Sequence, residues 1–143
     1  DPIALAADES GAVASAVAWA EPHLADEPVL IYSTAEPDAV RAVQDALGAE
    51  RSAALIERVL AAIARELVDA GVRQLIVAGG ETAGAVTAAL GVRLLRIGRE
   101  IDPGVPWTVS IPTHPAGPPI ALALKSGNFG APAFFLDAWS RVQ

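Results

Sequence analysis

The chain contains no cysteine and no methionine, a single tyrosine, two histidines and a single lysine. Without cysteine there is no disulfide framework, no thiol chemistry and no cysteine-based metal site, and the redox compartment is left open. The only imidazoles, His23 and His114, lie far apart with no spaced partner motif. They read as surface or loop histidines, and no resident metal site is expected. Net charge is −7 and no basic run occurs anywhere. That argues against a nucleic-acid partner, because binding a phosphate backbone requires clustered lysine and arginine. No apolar run approaches the length of a membrane span, and the first residues lack the pattern of a secretory signal. A soluble, cytoplasmic chain with no membrane partner is the expectation. Internal repeats and low-complexity linkers are also missing.

What is present suits one core. A chain of 143 residues with 52% hydrophobic content is long enough for a single well-buried domain and too short for two. Ile3 and Leu5 alternate, which reads as a first strand already under way over Asp1–Ala7, with polypeptide expected upstream. Val13, Val17, Ala20 and Leu24 recur at helical spacing from Glu9 to Leu24. Val29–Tyr32 reads as a second buried strand, ending at Ser33 and Thr34. Pro37 suits the first turn of a helix whose core side carries Val40, Val43 and Leu47 and which Gly48 closes. The clearest helix spans Ser52–Ala70: Leu55, Val59, Ile63 and Leu67 line one face, widened by Ile56 and Leu60. Leu75–Ala78 is a short apolar run that suits an internal strand. Beyond the next helix come strands over Val92–Ile97, Val105–Ile111 and Ile120–Leu124, with bends at Gly98 and Pro103-Gly104 and a Pro- and Gly-rich loop over Pro112–Pro119. No helices separate them, so this half is expected to be antiparallel or mixed. A last helix is placed at Pro132–Arg141. The pattern is α/β: a three-layer domain over residues 1–143, with a mixed, partly parallel sheet flanked by helices.

Two glycine-rich turns carry the chemistry. In the first, Leu75–Ala78 runs into Gly79 and Gly80, and Thr82 is the expected N-cap of a helix over Ala83–Leu90 that Gly91 ends. Strand, glycine turn and helix N-terminus together form an anion site, since free N–H groups and the helix dipole face the ligand. An ordinary tight βα connection would look the same. In the second, Ile120–Leu124 leads into Lys125-Ser-Gly-Asn-Phe-Gly130. The one lysine stands there beside a hydroxyl, two glycines and an amide, a set suited to a nucleotide phosphate. The alternative is a plain turn with a solvated lysine. Neither turn is a P-loop, because Leu124 stands where that motif needs glycine, and no dinucleotide fingerprint follows a strand.

A third turn, Glu100-Ile-Asp-Pro-Gly-Val-Pro106, puts two carboxylates beside a Pro-Gly bend. A plain turn with solvated acids is the preferred reading; contact with a metal–nucleotide or a ribose hydroxyl is the other. No Ser-His-Asp, Cys-His or committed carboxylate pair is visible, so no catalytic residue is assigned.

With these segments in hand, the chain resembles the C-terminal nucleotide-binding domain of the four-carbon acid sugar kinase family, whose members are 3-oxo-tetronate, threonate and erythronate kinases. Ala78–Val86, Glu100–Pro106 and Leu122–Gly130 carry the resemblance, in the family's order and spacing. It implies an ATP-dependent kinase that phosphorylates a terminal hydroxyl of a sugar acid, with Mg²⁺ accompanying the nucleotide. It assigns ATP to Gly79, Gly80, Glu81 and Thr82 in the first loop and to Ser126, Gly127 and Asn128 in the second; Lys125 joins them on charge grounds. Ala83 departs from the serine common in the family, a loss of about one hydrogen bond, ~1 kcal/mol. The family's acid-sugar site and catalytic base belong to an N-terminal domain not found in this sequence. The small sugar-acid substrate would therefore be held mainly outside this chain, and a homodimer is a further expectation. Two other readings compete. One is a stand-alone nucleotide- or anion-binding regulatory module; the other is an oligomerisation domain built on an exposed patch of Trp19, Trp107, Trp139, Phe134 and Phe135.

Overall fold

A computed structural model describes residues 2–34, 36–111 and 117–141, with side-chain surroundings from Leu5 onward. The chain divides into two compact units, Asp1–Leu67 and Val68–Gln143.

The first unit is helical. Helices α1 (Pro2–Ala7), α2 (Glu9–Ala20), α3 (Pro37–Leu47) and α4 (Ala49–Asp69) follow in order. The strand expected over the first seven residues is instead α1. Alternation over so few residues decides little, and Ala4, Ala6 and Ala7 are the strongest helix formers. Asp8 caps α2 by accepting from the Gly11 N–H at 2.8 Å. Val13, Val17 and Ala20 are buried on one face of α2. The helix stops at Ala20 rather than Leu24, because Pro22 has no N–H with which to continue the ladder. Residues 28–34 form no strand, and Leu30 and Tyr32 are 60% and 68% exposed. A strand exists only through ladder pairing, and this apolar run has no ladder partner among the described residues. Helix α3 begins on Pro37 and ends at Gly48, whose φ of +86° favours glycine. Only Val43 of its three expected core residues is fully buried. In α4 the expected face holds, with Leu55, Val59, Ile63 and Leu67 all buried, and the helix begins at Ala49 rather than Ser52. Arg58 on α4 pairs with Glu9 on α2 at 2.8 Å, and that hydrogen bond and charge raise the already high pKa of the guanidinium.

The second unit is built on a four-stranded sheet. Its strands are β1 (Gln74–Ala78), β2 (Leu95–Asp102), β3 (Val105–Ser110) and β4 (Ala121–Lys125), and α5 (Gly80–Ala89) follows β1. Strand order is β1-β4-β3-β2. β1 and β4 are parallel, while β4–β3 and β3–β2 are antiparallel. The α/β class and the mixed, partly parallel sheet agree with the sequence reading. One placement differs: β1 lies at an edge of this sheet, with only Val77 buried. The interior strands are β4 and β3, and in β4 Leu122 and Ala123 are inaccessible to solvent. The apolar content of β1 was a poor guide to position, since it says how well a strand packs and not how many neighbours it has.

Asp102 pairs with Val105 across a two-residue turn, Pro103-Gly104, and Gly104 takes φ +80°. Gly98 lies within β2, where the register is irregular; a Cβ there would sit 2.9 Å from the Trp107 carbonyl oxygen. The core cluster joins Ile101, Val105, Trp107, Ala123, Phe134 and Ala138. The expected C-terminal helix is shorter: α6 covers Phe134–Asp137 and continues as a 3₁₀ turn over Ala138–Arg141. Trp107 donates its indole N–H to the Ala138 carbonyl at 3.0 Å, which fixes that turn on the sheet. The Thr108 hydroxyl donates to the Leu122 carbonyl, and the Ser110 hydroxyl accepts from the Ile120 N–H. Every fully buried side-chain polar atom among the described residues is therefore partnered. Trp107 and Phe134 are core residues at 4% and 2% exposure. The proposed aromatic patch does not form within this unit, because Trp107 and Phe134 are spent on the core. The loop segment 112–116, with His114, lies outside the described residues.

Candidate functional site

The parallel pairing of β1 and β4 sets the site. Ala78 stands opposite Lys125 in the register, so both strands end at the same level and the two glycine loops leave side by side. The Gly79 N–H donates to the Lys125 carbonyl at 2.9 Å and ties the loops at their base. Ligands of α/β sheets collect at such carboxyl ends, where loops diverge.

Gly79 is the N-cap of α5, with φ +107° and ψ 129° and no side-chain cap. The N-cap expected at Thr82 is therefore corrected: the helix starts three residues earlier, on glycines that need no capping side chain to turn. A Cβ on Gly79 would lie 3.1 Å from the Thr82 hydroxyl, so bare backbone is required there twice over. The first helical N–H bonded to the cap is that of Ala83, to the Gly79 carbonyl at 2.8 Å. Helix geometry leaves the N–H groups of Gly80, Glu81 and Thr82 without intrahelical acceptors. Gly80 and Glu81 are exposed and Thr82 is half-buried. At its other end α5 closes as expected: Gly91, at φ +65°, donates to Ala88 and Val92 donates to Thr87.

The second loop faces this N-terminus. A Cβ on Gly80 would lie 3.7 Å from the Ser126 hydroxyl, so the gap between the loops has room for one methyl group at this point. Ser126, Gly127 and Asn128 are exposed, and Gly127 turns the chain at φ +53°. Lys125 is half-buried; its ammonium donates to the Gly127 carbonyl at 3.0 Å, and its stem passes Gly130. It is a held charge rather than a freely solvated one. The eight residues singled out in the sequence thus lie on two adjoining loops: open N–H groups on one, a hydroxyl, an amide and an ammonium on the other. The set is donor-rich and suits an anion with several oxygens.

The third segment joins them. Glu100 accepts from the Gly104 N–H at 2.8 Å, and Asp102 accepts from the Ala131 N–H. Neither acid is simply solvated: one closes the β2–β3 turn, and the other anchors the far end of the second loop. Phe129, left aside in the sequence reading, bridges the same parts. A Cβ on Gly104 would come within 3.0 Å of its ring, which is otherwise 55% exposed. The available signal was an aromatic inside a glycine-rich loop. Among the described residues no group of three or more His, Cys, Asp or Glu is arranged to hold a metal ion, and no helix is long and apolar enough to cross a membrane.

A family model described as a nucleotide-binding C-terminal domain matches residues 1–135. A Burkholderia multivorans protein named 3-oxo-tetronate kinase is 59% identical over 135 residues, 94% of this chain and 30% of its own length. A Pseudomonas fluorescens protein of the same name is 57% identical over 142 residues, 99% of this chain and 31% of its own. The chain thus spans about 30% of the length of the curated relatives it matches. The crystal structure of Haemophilus influenzae protein HI1011, of the DUF1537 family, aligns with a TM-score of 0.78 at 37% identity, over 90% of this chain and 30% of that one.

Proposed function

Since the chain belongs to the family of nucleotide-binding C-terminal domains, we propose that it is the ATP-binding part of a kinase acting on a four-carbon sugar acid. The acceptor would be a terminal hydroxyl of a 3-oxo-tetronate, threonate or erythronate type substrate, and residues 1–143 would serve as one nucleotide-binding domain. The name shared by its relatives supports this reading. The observation that carries it is the pairing of the open α5 N-terminus with the Lys125–Asn128 turn at the carboxyl ends of β1 and β4.

Phosphoryl transfer relies on positioning and charge neutralisation. The N–H groups of Gly80, Glu81 and Thr82 would hold phosphate oxygens from one side, and Ser126, Asn128 and Lys125 from the other. Mg²⁺ would arrive with the nucleotide on its phosphates, as is usual for this ion, with one or two carboxylates completing its shell; Glu81 is the acid at the cradle. In the reaction the acceptor oxygen bonds to the γ-phosphorus as the bond to the ADP oxygen breaks, and the hydroxyl proton passes to a base. This chain's part is to hold the donor; the base and the sugar-acid pocket belong to the rest of the enzyme. The same reading puts the protein in the cytoplasm and takes it as a homodimer, which light scattering checks.

Calorimetric titration of the chain with MgATP tests the proposal. Binding is expected for the parent protein. Gly80→Val is expected to weaken it by about a hundredfold, because branched methyls fill the gap before Ser126 and cost charge-assisted bonds worth roughly 1.5–3 kcal/mol each. No heat of binding in the parent, or equal binding by Gly80→Val, overturns the proposal.

A further inference from the structure

We propose that Phe129 is the nucleobase platform of this site, stacking on the purine of the phosphate donor; the assignment rests on the phosphate cradle proposed above.

Phe129 is a large apolar ring, 55% exposed, within a loop otherwise composed of Gly, Ser, Asn and Lys. Its position is held from two sides. The Phe129 N–H points to the Ser126 carbonyl at 3.4 Å across a Ser126–Phe129 turn. On the other side the ring rests against the β2–β3 turn at Gly104, where a Cβ would come within 3.0 Å of two ring carbons. That turn is itself braced, by Glu100 on the Gly104 N–H and by Asp102 on the Ala131 N–H. A ring seated on a braced turn, with half its surface open, has little rotamer freedom left to lose when a flat partner covers it.

The flat exposed ring and its reach from the cradle make a nucleobase the fitting partner. Residues 126 and 129 are the ends of a turn, so their Cα atoms lie within about 7 Å, and the Ser126 hydroxyl faces Gly80 across the cradle. A phosphate at Gly80 and Ser126 therefore has Phe129 within a nucleoside's reach. Stacking is sequence-tolerant, since every base has a π-face. Apart from Asn128, the loop offers few side chains that would read a base edge. The site should therefore hold purines firmly and distinguish adenine from guanine weakly.

Titration with MgATP, MgGTP and inorganic tripolyphosphate tests this on the parent chain, Phe129→Leu and Phe129→Trp. Leucine keeps an apolar side chain against Gly104 and removes the π-face; circular dichroism and the unfolding midpoint establish that each variant is folded. Phe129→Leu is expected to weaken ATP and GTP about tenfold each while leaving tripolyphosphate within about twofold. Phe129→Trp is expected to retain ATP binding, and the fluorescence it adds should be quenched by ATP and not by tripolyphosphate. Equal loss for ATP and tripolyphosphate in Phe129→Leu, or no loss for either, overturns the platform and leaves the cradle standing. Failure of the parent to bind any of the three overturns the cradle and the platform together.

Discussion

The two glycine loops end neighbouring parallel strands, share one hydrogen bond at their base and are built by opposite means. The first is backbone: Gly79 turns without a cap and Gly80 opens α5, so three N–H groups are presented before any side chain is needed. The second is side chains: Ser126 and Asn128 are exposed, and the Lys125 ammonium is held on the Gly127 carbonyl. A rigid dipolar cup costs nothing to reorganise on binding, while a cation held on its own loop and an exposed hydroxyl add charge and a side-chain hydrogen bond. The comparison teaches that glycine serves different ends in the two loops. In the first it uncovers donors; in the second it lets the chain turn so that other residues can donate.

The sharpest break of that comparison separates Gly79 from Gly80. Gly79 has φ +107°, and an added Cβ would press on the Thr82 hydroxyl at 3.1 Å. Gly79→Ala is expected to lower stability by ~1–3 kcal/mol in urea unfolding and to loosen the bond to the Lys125 carbonyl. Gly80 lies within α5 with its nearest neighbour at 3.7 Å. Gly80→Ala should therefore leave stability unchanged or raise it by up to about 1 kcal/mol. Equal destabilisation by both substitutions would show that the first loop is constrained by crowding, not by backbone conformation at one residue.

That contrast also marks what the sequence could convey. The α4 stripe of Leu55, Val59, Ile63 and Leu67 was legible because helix periodicity is local: each residue's neighbours are three and four positions away. β3 and β4 were legible because turn residues flank them. Val29–Tyr32 as a strand, and the internal position of the correctly read strand β1, were misjudged for one shared reason. A strand's neighbours are set by pairing with distant segments, so apolar content cannot say whether a ladder forms or whether the strand is central. The glycine loops announced themselves by composition. Their juxtaposition did not, because it depends on Ala78 lying opposite Lys125, which nothing local encodes. Thr82 was read as the cap because hydroxyls are good caps; glycine also serves there, and the helix began at the earlier opportunity. Phe129 went unread because its role depends on contact with Gly104, 25 positions earlier in the chain.

A smaller effect is expected from the second loop's cation. Lys125→Ala should reduce MgATP affinity by about tenfold at low salt, in line with the ~1.5–3 kcal/mol of a hydrogen bond to a charged group. The loss should shrink as salt is raised, since the contact is partly exposed and screened. Because Lys125 also holds the Gly127 carbonyl, Lys125→Gln is the control. It keeps an N–H donor on the same side of the loop and removes the charge. A loss in Lys125→Gln that matches alanine and depends on salt assigns the effect to charge. If glutamine restores binding fully, the lysine acts by bracing its loop.

The smallest expected effect tests the division of labour itself. Thr82→Val keeps the shape of the side chain and the backbone N–H while deleting the hydroxyl. If the first loop acts through its backbone, MgATP affinity should fall by no more than about threefold, at the low end of the ~0.5–1.5 kcal/mol a neutral hydrogen bond contributes. Ser126→Ala deletes the hydroxyl that faces Gly80 across the gap. Its loss should be larger, about five- to tenfold on the same scale. The two substitutions remove one hydroxyl each, so the difference between them measures how far α5 depends on N–H groups alone. A Thr82→Val loss equal to or greater than that of Ser126→Ala would mean that the first loop also grips through a side chain, and the two loops would then differ in geometry but not in kind.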